Sequence, residues 1–315
     1  MASDVILLGE RSEVKPPRRI ARRGSLSQFA LVSITFFTFA FLYVPIAVLI
    51  VFSFNSARTG ATWQSFSLQW YERVFSNTRI LEAAANSLIV ATLATVGSVV
   101  IGTLMAIAME RYQFRAKLAW DALLYLPVIV PEIVMGISLL IFFATINLSR
   151  GIVTLVISHI AFCMPFVYLT MRARLADFDK SLEEAAQDLG ADEWTTFRRI
   201  TLPLLMPGII SSALLAFTLS LDDFVISFFV TGVGSQTLPV YIWGQIRRGI
   251  TPEINAISTL MLLLSIVLVI FAQLIQRRPR RLADIPNQGK ALDRRRHAFA
   301  YLLKCQRQPL ADLEG

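Results

Sequence analysis

Six apolar runs of membrane length dominate the 315-residue chain, and they constrain its fold more than any other feature. They lie at about 29–54, 87–109, 119–146, 152–171, 204–230 and 254–275, each close to the ~20 residues that cross hydrocarbon as a helix. Within each run the apolar residues continue around all faces instead of alternating at period two. That pattern predicts helices and argues against a barrel, because a lipid-facing backbone must satisfy its own hydrogen bonds. Hydrophobic residues make up 55% of the chain and charged residues 17%, far from the balance of a soluble domain. The expected fold class is an all-α membrane protein with six transmembrane helices and no internal repeat at a fixed period.

The net charge of +8 does not read as a nucleic-acid footprint, because the basic residues follow the loops. Arg11, Lys15, Arg18, Arg19, Arg22 and Arg23 precede the first run, and Arg111, Arg115 and Lys117 join the second to the third. Arg172, Arg174, Lys180, Arg198 and Arg199 lie between the fourth and fifth, and Arg277, Arg278, Arg280 and Arg281 follow the sixth. The intervening loops hold Arg58, Arg73, Arg79, Arg150, Arg247 and Arg248 alone. By the positive-inside rule both termini and the segment 181–203 are cytoplasmic. The domain reading is a basic cytoplasmic tail at 1–28, a permease-sized membrane domain at 29–276 and a polar, proline-punctuated tail at 277–315 that suits disorder. The first run is too long for a signal peptide and lacks a small-residue cleavage site, so it reads as a retained anchor. Cys163 falls in the fourth run and Cys305 in the last tail, which implies neither a disulfide nor a metal site.

The polar interruption at 181–203, SLEEAAQDLGADEWTTFRRITLP, carries the most local information. Ser181 and Glu184 have capping-box spacing, which predicts a helix starting at Leu182. Gly190 can end it by taking the left-handed conformation. Asp192 then fits the N-cap of a second helix through Trp194, Phe197 and Ile200, and Pro203 is expected to stop that helix. On these signals alone the segment is an amphipathic hairpin between spans.

Glu184-Ala185-Ala186, then Gly190, then Ile200, Leu202 and Pro203 match the EAA loop of ABC importer permeases, which this segment resembles at every position. The resemblance implies a type I ABC importer permease-like bundle whose cytoplasmic coupling helix inserts into a separate ABC ATPase dimer. It makes Glu184, Ala185, Ala186, Gly190, Ile200, Leu202 and Pro203 the ATPase-coupling residues. Ala185 and Ala186 leave a helix face small enough for close approach. The chain contains no G-x-x-x-x-G-K-[ST] phosphate loop, so no enzymatic ATP hydrolysis is expected of it. ATP and Mg belong on the partner ATPase, and no cofactor is expected in this chain.

Four ionisable residues fall inside the apolar runs, where each costs at least about 2.5 kcal/mol and marks a functional candidate. They are Glu132, His159, Asp222 and Asp223. If the fifth span enters near Leu204 and the third starts near Ala119, a rise of about 1.5 Å per residue puts Asp222 ~27 Å and Glu132 ~20 Å from those cytoplasmic ends. Carboxylates at comparable depth on different spans suit a cation path. The alternative is an internal contact in which Glu132 pairs with His159, and adjacent aspartates about 100° apart on a helix can hardly both face one path. Pro127 and Pro131 would free carbonyls that could also face a polar lumen.

The stretches Pro131-Glu132-Ile133-Val134-Met135, Ser158 to Phe166 and Phe217 to Asp223 are similar to the second permease subunit of bacterial spermidine/putrescine importers. That resemblance covers about Leu42 to Gln276, with Glu132 standing where the group carries aspartate. It implies polyamine import across the bacterial cytoplasmic (inner) membrane. The implied partners are a homologous permease subunit, the ATPase dimer, a periplasmic or surface substrate-binding protein and membrane lipids, with no nucleic acid. Tyr125 and Trp243 are candidates for cation–π contact with such a cargo. Trp63, Phe66, Trp70, Tyr71 and Phe75 in the outer loop 55–86 read as an interfacial anchor or a surface for the delivery protein. The loop 231–253 reads as a re-entrant or surface helix. A membrane-embedded enzyme using Asp222 and Asp223 as metal ligands or acid and base, and a passive cation channel, are the readings outside the importer class.

Overall fold

The computed structural model describes residues 25–57, 62–176, 178–249 and 251–276. The tails expected at 1–28 and 277–315, with Cys305, lie outside these residues, apart from the four that open the first helix.

Thirteen segments follow in order. They are α1 (Ser25–Phe52), α2 (Gln69–Ser76), α3 (Thr78–Arg111), α4 (Lys117–Ile129), α5 (Glu132–Thr145), α6 (Ile152–Ala176), α7 (Ser181–Asp188) and α8 (Glu193–Thr196). After them come a π-helical turn (Phe197–Thr201), α9 (Leu202–Asp222), α10 (Val225–Val230), α11 (Leu238–Ile246) and α12 (Pro252–Gln276). Among the described residues, five continuous helical stretches are long and apolar enough to cross a membrane, six if the bent pair α4–α5 counts as one span.

The centre of the bundle is α3, α6 and α9. Small residues recur along one face of α3, with Ala83, Ser87, Ala91, Ala94, Ser98, Gly102 and Ala106 all buried. Between apolar helices in lipid there is little hydrophobic drive, so close backbone approach and dispersion hold the packing. Gly102 shows how close: a Cβ there would lie 2.8 Å from Val167 Cγ1 and 3.0 Å from the Met164 carbonyl oxygen. The Ser98 hydroxyl donates to the Ile160 carbonyl at 3.4 Å, and Cys163 Sγ donates to the Ala216 carbonyl at 3.6 Å. Outward faces are the reverse of a soluble protein's. None of the span in α1 is buried, and Phe29, Phe36, Phe37 and Phe41 are among its exposed rings, as suits a helix solvated by hydrocarbon.

Two expected spans are not straight helices. The run 119–146 divides into α4 and α5, whose axes differ by 107°. Val130 and Pro131 both take extended backbone, with ψ of 130° and 134°. The cause is local, since a proline ring pushes the residue before it out of the helical region and offers no N–H to the preceding turn. The run 204–230 likewise breaks after Asp222, where Asp223 is extended and α10 begins two residues later. The axial distance assumed for Glu132 therefore does not hold as a depth on a single rod, whereas the stretch from Leu204 to Asp222 lies within one helix. Asp222 ends a helix that begins at Glu193.

Within the loop 55–86 the described residues make specific contacts. Asn55 pairs with Phe66 in an isolated antiparallel bridge, and the Trp70 indole N–H donates to the Asn55 carbonyl at 2.7 Å. Trp70 and Val74 bury one side of α2 against α12 and α3, while Trp63, Phe66 and Phe75 stay exposed. In the loop 231–253, α11 buries Val240 and Tyr241 and packs on α3 and α12.

Candidate functional site

Two groups of residues are placed by this architecture, one at each end of the bundle. At the first, α6 runs into α7, and α8 runs through the π turn into α9. The helix start differs from expectation. Ser181 forms no capping box; instead its N–H donates to Asp179 Oδ1 at 3.0 Å, so the aspartate two residues upstream supplies the acceptor. The end of α7 is a Schellman motif. Gly190 has φ +88°, its N–H donates to the Gln187 carbonyl at 2.8 Å, and the Ala191 N–H donates to the Ala186 carbonyl at 3.0 Å. Asp192 occupies the N-cap of α8, with its carbonyl accepting from the Thr196 N–H at 2.9 Å.

Pro203 does not stop the second helix. The Leu202 N–H reaches back to the Phe197 carbonyl, an i to i+5 bond, and the widened turn takes up the place where a proline ring would crowd the preceding carbonyl. Helix α8 is therefore continuous with α9 through the π turn, and Ile200, Leu202 and Pro203 lie at the junction. Glu184, Ala185 and Gly190 are exposed and Ala186 half-buried. Three large apolar side chains stand out here: Leu182, Leu189 and Trp194 are 47%, 90% and 66% exposed, without lipid-length apolar sequence around them.

Charged contacts at this end went unread in the sequence. Arg111, at the last turn of α3, bonds Glu183 of α7, and the Thr201 hydroxyl donates to the same Glu183 Oε1. Asp121 of α4 accepts from the Tyr168 hydroxyl at 2.6 Å and from Arg172 at 2.5 Å, tying α4 to α6. Tyr125 meets the edge of Tyr168 at 6.2 Å, so this candidate aromatic belongs to that tie. Arg111 and Arg172 carried a loop-charge signal only, since their partners are distant in sequence.

At the opposite end the four ionisable candidates separate. His159 and Asp223 pair, with Nε2 3.4 Å from Oδ2 and side chains 1% and 2% exposed. Every polar atom of the pair has a partner: His159 Nδ1 meets Ser220 Oγ at 2.7 Å and Nε2 meets Ser227 Oγ at 3.0 Å. Asp223 Oδ1 accepts from the Ile226 N–H at 3.2 Å and Oδ2 from the Ser227 N–H at 2.8 Å. Asp223 thus caps α10, which explains why the helix breaks where it does. The pairing of His159 with Glu132 considered from sequence is not the one formed.

Glu132 and Asp222 are exposed. Glu132 opens α5, which packs against α10, and it lies within electrostatic reach of Asp223. Asp222 closes α9, two residues before Phe224, whose ring lies 5.2 Å from Trp243 and 5.5 Å from Phe228. Arg247 covers the Trp243 ring at 5.4 Å. An exposed carboxylate and, two residues further on, an aromatic group of which Trp243 already holds a guanidinium offer groups suited to an organic cation.

Sequence comparison gives this arrangement its context. Residues 98–281 match the family model described as "Binding-protein-dependent transport system inner membrane component". The chain belongs to this family. It is an inner-membrane permease of the ABC importer class, a transport subunit rather than an enzyme. It is 44% identical over 243 residues to the spermidine/putrescine transport system permease protein PotC of Haemophilus influenzae, covering 77% of this chain and 95% of that one. With PotC of Escherichia coli strain K12 it shares 46% over 239 residues, 76% of this chain and 90% of the relative. The putrescine permease PotI of the same strain is 39% identical over 231 residues, 71% of this chain and 82% of the relative. Among solved structures, a bacterial ABC transporter involved in the import of alginate superposes with a TM-score of 0.65 at 19% identity, covering 81% of this permease and 96% of that chain. At that identity the likeness speaks for the fold.

Proposed function

We propose that this permease is one half of the transmembrane pathway of an ATP-driven importer that brings spermidine or putrescine into the cytoplasm. The cargo assignment rests on one observation, the 44–46% identity to permeases named for spermidine/putrescine transport along 90–95% of their lengths. The exposed carboxylates Glu132 and Asp222, and the Phe224–Trp243 ring pair that follows Asp222 in the chain, support it chemically. A polyamine loses water on entering the path, and carboxylates and ring faces replace part of that hydration. His159 and Asp223 shape the site by holding α10 and do not meet the cargo.

In this reading a homologous permease supplies the other half, and a periplasmic or surface binding protein delivers cargo at the α10–α11 end. Both termini and α7 face the cytoplasm, following the loop distribution of Arg and Lys. An ATPase dimer, which holds ATP and Mg, docks on α7 and α8 through Glu184, Ala185, Ala186 and Gly190. The exposed Leu182, Leu189 and Trp194 favour such a partner, because apolar side chains of this size outside lipid mark an interaction surface. ATP-driven closure of the dimer moves α7, and α9, continuous with α8 through Ile200, Leu202 and Pro203, carries the motion to Asp222.

The test is uptake of labelled spermidine and putrescine by cells expressing the complete transporter, with this permease present or deleted. ATP-dependent uptake that vanishes on deletion and returns on complementation is expected. Uptake unaffected by deletion, with another solute lost instead, overturns the cargo assignment.

A further inference from the structure

The coupling segment has little to hold it in place by itself. Helix α7 spans eight residues and buries none of them, and a helix that short has marginal stability alone. Among the described residues, the side-chain hydrogen bonds that tie α7 to the long helices run through Glu183. Its side chain is 15% exposed while the neighbouring Glu184 is exposed, as the ~100° step between adjacent helical residues requires. One oxygen of Glu183 collects two donors from two different long helices. Arg111 reaches it from the last turn of α3, and the Thr201 hydroxyl reaches it from the π turn that leads into α9. Arg111 Nη2 also lies 3.4 Å from Thr201 Oγ1, so the three groups close into a triangle, and Thr201 is fully buried beneath it.

We infer that Arg111, Glu183 and Thr201 are positioning residues for energy coupling, a clamp that makes α7 move as one body with α3 and α9. This rests on the docking of an ATPase on α7 proposed above. Charge-assisted bonds to a partly buried carboxylate are geometrically stiff, whereas a chain connection alone would let α7 tilt on Gly190. The two helices held by the clamp lead to the far end of the bundle. There α9 ends at Asp222, and α3 begins beside Asn77, whose side-chain N–H donates to Glu253 of α12 at 3.3 Å. Breaking the clamp should therefore leave ATPase docking intact and uncouple it from transport.

The experiment uses the complete transporter in proteoliposomes, reading assembly, ATP hydrolysis and labelled spermidine transported per ATP. E183Q and R111M are expected to assemble and hydrolyse ATP while transport per ATP falls about tenfold, within the usual range of coupling effects. The reciprocal exchange R111E with E183R restores the ion pair and should recover most of the loss, which a merely structural role for either residue does not predict. Wild-type transport per ATP in both single variants overturns the inference, as does an exchange no better than the single variants. If a single variant fails to assemble, the exchange decides: recovery of assembly and transport supports the clamp, and no recovery overturns it. A wild-type permease that never co-purifies with an ATPase refutes the docking reading itself, a distinct result seen before any variant is made.

Discussion

Asp222 and Asp223 are adjacent in sequence, yet replacing each by asparagine should fail in different ways. Asp223 is buried, accepts two backbone N–H bonds at the start of α10, and stands 3.4 Å from His159. Asparagine keeps one acceptor oxygen and puts an amide N–H₂ where the second accepted, so one cap bond and the attraction to His159 are lost. Bonds to a charged group contribute roughly 1.5–3 kcal/mol each, and an unpaired buried partner adds to the cost, giving about 2–4 kcal/mol of destabilisation. At ~2–4 °C per kcal/mol for a chain of this size, Tm should fall by about 5–15 °C. Asp222 is exposed, so its replacement should change stability by less than about 0.5 kcal/mol. A carboxylate and an ammonium about 5 Å apart in a medium of effective dielectric between protein and water attract by roughly 1–3 kcal/mol. Loss of about half of that, ~0.5–1.5 kcal/mol, lowers spermidine uptake by about two- to tenfold. Thermal unfolding of the purified permease complex and initial-rate uptake of labelled spermidine separate the two. Equal Tm losses, or normal uptake with Asp222→Asn, would refute the assignment of one aspartate to the fold and the other to the path.

Further outcomes follow from other named contacts. Leu189→Ser combined with Trp194→Ala should leave Tm unchanged, because both side chains are exposed, and weaken co-purification of the ATPase by about tenfold, as expected of interface anchors. Gly190→Pro forces φ from +88° toward about −65° and removes the N–H that bonds Gln187, so ATPase association should be abolished; Gly190→Ala, strained by only ~1 kcal/mol, should retain it. Gly102→Leu places atoms inside contact distance of Val167 and the Met164 carbonyl, and the yield of folded permease from membranes should drop by an amount consistent with at least ~1–3 kcal/mol of overpacking.

The apolar runs were sufficient to find where the long helices lie, because hydrocarbon selects for composition along a whole span. They carry no information about direction, and so the right-angle turn at Val130 and Pro131 is invisible to hydropathy, although Pro127 and Pro131 each mark a break in the helix ladder. Local backbone rules worked where one residue decides the geometry, as at Gly190, and failed where two acceptors compete, as between Ser181 and Asp179. Pro203 misled for a related reason: a widened turn accommodates it, and nothing in its neighbours' residue types signals a π turn. The cost of an ionisable residue inside a span is legible in the sequence, but which of the four are paired depends on contacts between helices far apart in the chain. His159 finds Asp223 through the break after α9, and Arg111 finds Glu183 from another helix, pairings that no period within one segment encodes.

The most direct measurement of the central claim is ATP hydrolysis by the reconstituted transporter as cargo-loaded binding protein is added across a panel of spermidine, putrescine and unrelated solutes. Stimulation by spermidine or putrescine of about fivefold or more, lost when Asp222→Asn permease replaces the wild type, is the predicted result. Hydrolysis indifferent to every polyamine, with strong stimulation by a different solute, would contradict it.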